Sequence, residues 1–197
     1  KTIKDLAGKR VGVSAPGSAT DFMLKYVLRK NGVDPASVPV IGVGEPASTV
    51  AAIEQGQVDA ALNGEPGITV LQNKYRDLPI LVDTRTEAGT RQLFTGDYPA
   101  ACLYAMSDWL DHHPEEARRL ALALVSTLHW IDTHSPEEIV AKMPKDIVGP
   151  DPTLYLEVVK HMMQIFSKNG LMTLQSAQNP YSLLKQSNPE VAAAKID

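Results

Sequence analysis

Three short runs of small residues in this chain could wall a ligand cleft, and the first of them suits capture of a small anion. The first is SAPGSAT, Ser14 to Thr20, set between an apolar run and a helical pattern. A helix start offers free N–H groups and the positive end of the helix dipole, and small residues let a ligand approach the backbone. Ser14, Ser18 and Thr20 add hydroxyl donors, and Gly17 and Ala19 add little bulk. The phosphate-loop pattern GxxxxGK[ST] is absent, which disfavours a nucleotide triphosphatase. The plain alternative is a capped helix after a Pro-Gly turn, and the local residues leave both open.

The second run is GVGEPAS, Gly42 to Ser48, and the third is LNGEPG, Leu62 to Gly67. Each follows an apolar run and carries Glu-Pro. Glu45 or Glu65 could meet a cationic group or a hydroxyl, although a glutamate at a helix start also serves the helix dipole. Gly44 and Glu45 therefore join the candidates, with Asn63, Gly64, Glu65 and Pro66. Other chemistries find less support. His112, His113, His129, His134 and His161 form no HExxH or other i, i+4 zinc pair. Cys102 lies in the apolar run AACLYA and reads as a buried structural thiol, and no GxSxG elbow is present. No metal or cofactor is expected.

The elements that must position these runs alternate. Arg10–Ser14, Val38–Val43, Val58–Leu62 and Leu78–Val82 read as strands. Between them lies a helix capped by Ser18 and closed by Gly32, with an apolar face from Phe22, Tyr26, Met23 and Val27. A short helix capped by Ser48 and closed by Gly56 follows, and then another over Gly67–Tyr75. Such alternation implies parallel strands with helical crossovers, and ligands in such sheets sit beyond the carboxyl ends of the strands. Residues 1–96 thus read as one α/β lobe.

Residues 97–197 read differently. Tyr98–Ala105 could add a strand, and helices follow. Pro114 starts a long one with a buried stripe of Ala117, Leu120, Ala121, Leu124, Val125 and Leu128. Ser135-Pro136-Glu137-Glu138 reads as a capping box. Asp151 begins a third, with Val158, Val159, Met162, Ile165 and Phe166 inside and Gly170 at its end. A short helix is expected after Asn179-Pro180. The boundary is placed near Gly96.

Of the 197 residues, 44% are apolar and 21% charged, which excludes disorder, collagen and coiled coil. The 19 basic and 23 acidic residues are unclustered, so no basic footprint for nucleic acid or anionic lipid exists. The longest apolar stretch, Leu120 to Leu128, is too short to cross a bilayer. Lys1 stands directly before an apolar strand, which reads as a piece of something longer.

The string IKDLAGKRVGVSAPGSATDFMLKYVLRKNGVDPASVPVIGVGEPASTVAAIEQGQVDAALNGEPG resembles the substrate-binding proteins of nitrate, sulfonate and taurine type ABC importers. The "DLAGKRVGV…GS" opening, the AAIEQGQVDAAL stretch and the later LDHHPEEARRLALALVSTLHWIDTHSPEEIV segment carry the likeness. It implies a type II periplasmic-binding-protein-like α/β fold, with one complete lobe plus helices of the other. In this resemblance the first half-lobe precedes Lys1, and an unpaired sheet edge could be completed by a second copy.

The resemblance also implies a non-enzymatic solute binder, holding a small anionic or zwitterionic compound in an interlobe cleft. Its partner would be a membrane permease. Its place would be periplasmic or extracytoplasmic, with a lipid anchor in a Gram-positive source. The family's anion-contacting turn falls on Ser14, Gly17, Ser18, Ala19 and Thr20, and a second segment on Asn63, Gly64, Glu65 and Pro66. The Gly44–Ala47 turn matches less closely. Two other functions use the same fold. Thiamine-pyrimidine synthases rely on a cysteine cluster, which one cysteine does not supply. Effector-sensing modules of transcription regulators follow a DNA-binding helix pair.

Overall fold

A computed structural model describes residues 1–94 and 96–194. At its centre is a parallel three-stranded sheet of order β2-β1-β3, formed by β1 (Val11–Val13), β2 (Val40–Gly42) and β3 (Ala60–Ala61). Val11 pairs with Val40 on one side and Ala60 on the other, and Gly12 with Ile41 and Ala61. Gly12 is needed there. A Cβ would lie 3.1 Å from both Ala61 Cβ and a Val43 methyl. All three residues of β1 are buried, as suits a central parallel strand covered on both faces.

The crossovers are α1 (Ala19–Lys30) and α2 (Pro46–Glu54), and α3 (Gly67–Lys74) follows β3. Ser18 caps α1, and Gly32, at φ +73°, follows its end. The face α1 buries is Leu24, Val27 and Leu28, whereas Phe22, Met23 and Tyr26 are half-buried. Leu24 and Leu28 join Leu6, Val11, Val13, Val33 and Val38 in one core cluster. α2 starts earlier than Ser48. Pro46 occupies its first turn and Glu45 its N-cap position, since proline's fixed φ preorganises a helix start.

Two expected strands are absent. Leu78–Val82 runs without a ladder: Pro79 has no N–H to give one, and Leu81 packs on the core while Ile80 and Val82 stay exposed. Tyr98–Ala105 is irregular, with Leu103 and Tyr104 exposed. Cys102 is consequently exposed, not a buried structural thiol.

The remaining helices are α4 (Glu87–Phe94), α5 (Ser107–His112), α6 (Pro114–Thr133), α7 (Pro136–Lys142), α8 (Lys145–Val148), α9 (Pro152–Met162), α10 (Leu174–Ser187) and α11 (Pro189–Ala193). Pro114 stands in the first turn of α6, as read. Ser135 and Glu138 form the expected capping box, at 2.8 Å from Ser135 N to Glu138 Oε2. Val158 and Val159 of α9 are buried, as is Ile139 of α7, which packs against that helix. The α6 stripe is a correction: no α6 residue is buried, and Leu120, Leu124 and Val125 are exposed. Ile165 and Phe166 lie past the end of α9 and are exposed too. Pro180 sits inside α10, which begins well before it.

The chain separates into two compact units. One holds Lys1–Thr84 with Tyr181–Asp197, and the other Arg85–Pro180. The break thus falls ahead of Gly96, and the end of the chain rejoins the first unit. The last three residues of the 97–197 segment lie outside the described residues.

Candidate functional site

Because the three strands run parallel, the runs that follow them emerge on one edge of the sheet. After Val13 the chain turns through Ser14 to Gly17, whose φ of +81° is a left-handed conformation that glycine adopts without strain. Ser18 is extended and accepts a long bond, 3.4 Å, from Asp21 N–H. Thr20 reaches back from the first turn of α1 and accepts from Ser14 N–H at 2.9 Å.

The three hydroxyls of this turn form a triangle. Ser14 Oγ donates to Ser18 Oγ at 3.0 Å, and Thr20 Oγ1 lies 2.9 Å from Ser14 Oγ and 2.8 Å from Ser18 Oγ. A ring from Ser14 to Ser18 to Thr20 and back uses all three protons. Rotating the Thr20 proton outward leaves a two-bond relay behind one polarised donor. The N–H groups of Ala19 and Thr20 open α1, where no intrahelical partner exists. Together these donors suit an acceptor-rich ligand.

Asp21 was not singled out by the sequence reading. Its side chain is 1% exposed, and its Oδ2 accepts from Gly17 N–H at 2.7 Å and from the Lys25 ammonium at 2.8 Å. Oδ1 is buried without a hydrogen-bond partner. Gly17 N–H therefore points at Asp21, and Gly17 contributes the shape of the turn. Lys25 balances the charge so near the hydroxyls. The signal was present: Ser-x-x-Asp with Lys four residues on is a helix-start pattern.

The second turn is tied to the first. Gly44 N–H donates to Ser14 C=O at 3.0 Å. Glu45 follows, exposed, with no side-chain bond to the start of α2. In the third turn Asn63 Oδ1 accepts from Gly64 N–H at 3.0 Å, while Asn63 Nδ2 is buried without a partner. Glu65 Oε2 accepts from Thr69 N–H at 3.1 Å, so this carboxylate caps α3. Pro66, joined to Glu65 by a cis peptide bond, faces Pro46 across an open groove of about 380 Å³. Val50, Gly67 and Val70 also line it. All three candidate runs thus share an edge. Their acids differ, Glu65 being engaged with the backbone and Glu45 standing at the groove.

Among the described residues, no group of three His, Cys, Asp or Glu side chains is placed to hold a metal. No helix among them is long and apolar enough to cross a membrane.

Residues 1–145 match the NMT1-like family. The Nitrate/nitrite binding protein NrtA of Nostoc sp. is 26% identical over 154 residues, 74% of this chain and 33% of that protein. Its namesake from Synechococcus elongatus is 29% identical over 131 residues, 66% of this chain and 28% of that protein. The Bicarbonate-binding protein CmpA of Synechococcus elongatus is 22% identical over 132 residues. A solved structure from Bordetella bronchiseptica RB50 is 34% identical with a TM-score of 0.86, and the match covers 99% of this chain and 62% of that one. The aligned part is about a third of the length of the curated relatives. The α/β, type II periplasmic-binding-protein-like class read from the sequence holds.

Proposed function

This chain belongs to the NMT1-like family, and from that premise we propose that it serves as the solute-binding component of an ABC importer. It captures a small anionic or zwitterionic compound and catalyses nothing. The observation that carries the reading is the convergence of three strand-to-helix turns on one sheet edge, with the Ser14–Ser18–Thr20 hydroxyls at the start of α1. The likeness to nitrate/nitrite and bicarbonate binding proteins supports the same class of ligand.

In this reading the anionic end takes the N–H groups of Ala19 and Thr20 and one hydroxyl of the triangle. Closure of a second wall over the edge would complete capture. The partners are the ligand and a membrane permease, and a second copy of this chain could pair along the free edge of β2 or β3. The working compartment is extracytoplasmic, with a lipid anchor in a Gram-positive source.

The test is calorimetric titration of the 197-residue chain with nitrate and with acetate. At least one should bind, and Ser18→Glu, which sets a carboxylate on the turn, should abolish that binding. Equal affinity in the variant would sink the assignment of the turn.

A further inference from the structure

We infer that Asn63–Gly64 is a modification site, at which the folded chain converts its own asparagine to aspartate and isoaspartate. Asparagine is among the thermolabile residues. The chain holds three Asn-Gly pairs, Asn31–Gly32, Asn63–Gly64 and Asn169–Gly170. In each pair no side chain on the glycine hinders a close approach of its nitrogen to the asparagine amide. The reaction needs no ligand and is independent of the solute-binding reading.

Gly64 N–H gives up its proton to water, and its nitrogen bonds to Asn63 Cγ. The Cγ–Nδ2 bond then breaks, and Nδ2 leaves as ammonia after taking a proton from solvent. Water opens the cyclic imide at either carbonyl, which gives aspartate or isoaspartate. Water enters, ammonia leaves and nothing is oxidised. Either product sets a new carboxylate on the third of the runs at the sheet edge.

Local contacts single out this pair. Gly64 N–H donates to Asn63 Oδ1 at 3.0 Å, so the carbon to be attacked is bonded to the very atom that the nitrogen already faces. Near-attack placement of this kind speeds ring closure. Among the described residues that N–H has no other acceptor, and Gly64 is exposed to water. Asn63 Nδ2 packs against Gly67 and is buried without a hydrogen-bond partner, so its departure breaks no bond of the fold. The other two pairs are held. At the end of α1, Gly32 N–H donates to Arg29 C=O at 3.0 Å and Asn31 Nδ2 to Val27 C=O at 2.8 Å. In the loop after α9, Gly170 N–H donates to Ser167 Oγ at 3.0 Å, and Asn169 Oδ1 accepts from Leu171 N–H at 2.9 Å.

The experiment ages the folded 197-residue chain in mildly alkaline buffer and follows all three pairs by peptide mapping with mass spectrometry, which reads each amide lost and separates isoaspartate from aspartate. Asn63 should convert at least about fivefold faster than Asn169, and Asn31 should be slowest. In urea, where the folded contacts are gone, the three rates should converge to within about threefold. A Cβ at Gly64 would meet nothing within 4 Å, so Gly64→Ala fits the fold. It should slow Asn63 by about tenfold and leave the other two pairs unchanged. Circular dichroism checks that the variant is folded. Conversion of Asn63 no faster than that of Asn169 overturns the inference, and so does a rate that Gly64→Ala leaves unmoved. Aspartate formed without isoaspartate would mean direct hydrolysis of the amide, and overturns it too.

Discussion

Helices α1 and α6 are both amphipathic, yet they end in opposite surroundings. In α1, Leu28 is 0% exposed and packs with Leu24 into the cluster around β1. In α6, which is longer, no residue is buried, and Leu122 is 51% exposed. Helical spacing says which face is apolar, but not what covers it. The difference is sequence distance. The cover of α1 is a strand only a few residues upstream, joined by a turn of fixed geometry. Around α6 the nearby described chain offers little beyond α5 at its start and the Lys168–Gly170 loop, where Lys168 Nζ is 3.3 Å from Asp132.

The comparison breaks if the two helices respond alike to truncation. Leu28→Ala should cost about 2–5 kcal/mol, the range for a buried leucine whose cavity cannot collapse. Leu122→Ala should stay within about 0.5 kcal/mol, as for a surface change. Urea unfolding of each variant gives both numbers. A large loss at Leu122 would mean that α6 is covered in solution. Next in size is Asp21→Ala, which strips the acceptor from Gly17 N–H and leaves Lys25 without its partner. Leaving such groups unsatisfied costs about 1–3 kcal/mol, and the same unfolding experiment reads it. A loss well below that would mean the carboxylate is not held as described.

Local chemistry was legible in the sequence, and long-range cover was not. Ser18, Ser135, Pro114 and Gly32 announced their helix ends because a cap depends on residues three or four positions away. The shared edge of the three site runs followed from alternation alone, since parallel strands need crossovers. For Glu65 the sequence left a ligand and the helix start both open, because a carboxylate can serve either with the same residues, and the structure shows it on Thr69 N–H; the withdrawal of Gly17 N–H by Asp21 was not anticipated. Leu78–Val82 and Tyr98–Ala105 looked like strands by composition. Strand formation also needs a neighbour offering its ladder, and composition carries no trace of one. Cys102 went wrong with the second of these.

Smaller effects sharpen the contrast between capped ends and paired charges. Ser135→Ala removes a hydroxyl that accepts from Glu138 N–H at 3.2 Å, and should cost about 1 kcal/mol in urea unfolding. The smallest expected effect is the pH dependence of Arg10 and Asp59, which join the residue before β1 to the one before β3. Arg10 holds both oxygens of Asp59 through its guanidinium at 3.0 and 3.1 Å and adds its own N–H at 2.9 Å. The guanidinium and then that N–H hold the Asp59 carboxyl down at about 2, against a small opposing effect of desolvation. In the unfolded chain an aspartate titrates near ~3.9. As pH falls below that value the unfolded chain takes up the proton first. The contribution of the pair is therefore complete above about pH 5 and is lost progressively as pH falls through 4 towards 2. Both side chains are more than a third exposed, so the contribution is small. The stability difference between wild type and Asp59→Asn should shrink steadily between pH 5 and pH 2.5. A difference that stays constant over that range would show that the Arg10 clasp does not form in solution, and that β3 is held beside β1 by its ladder alone.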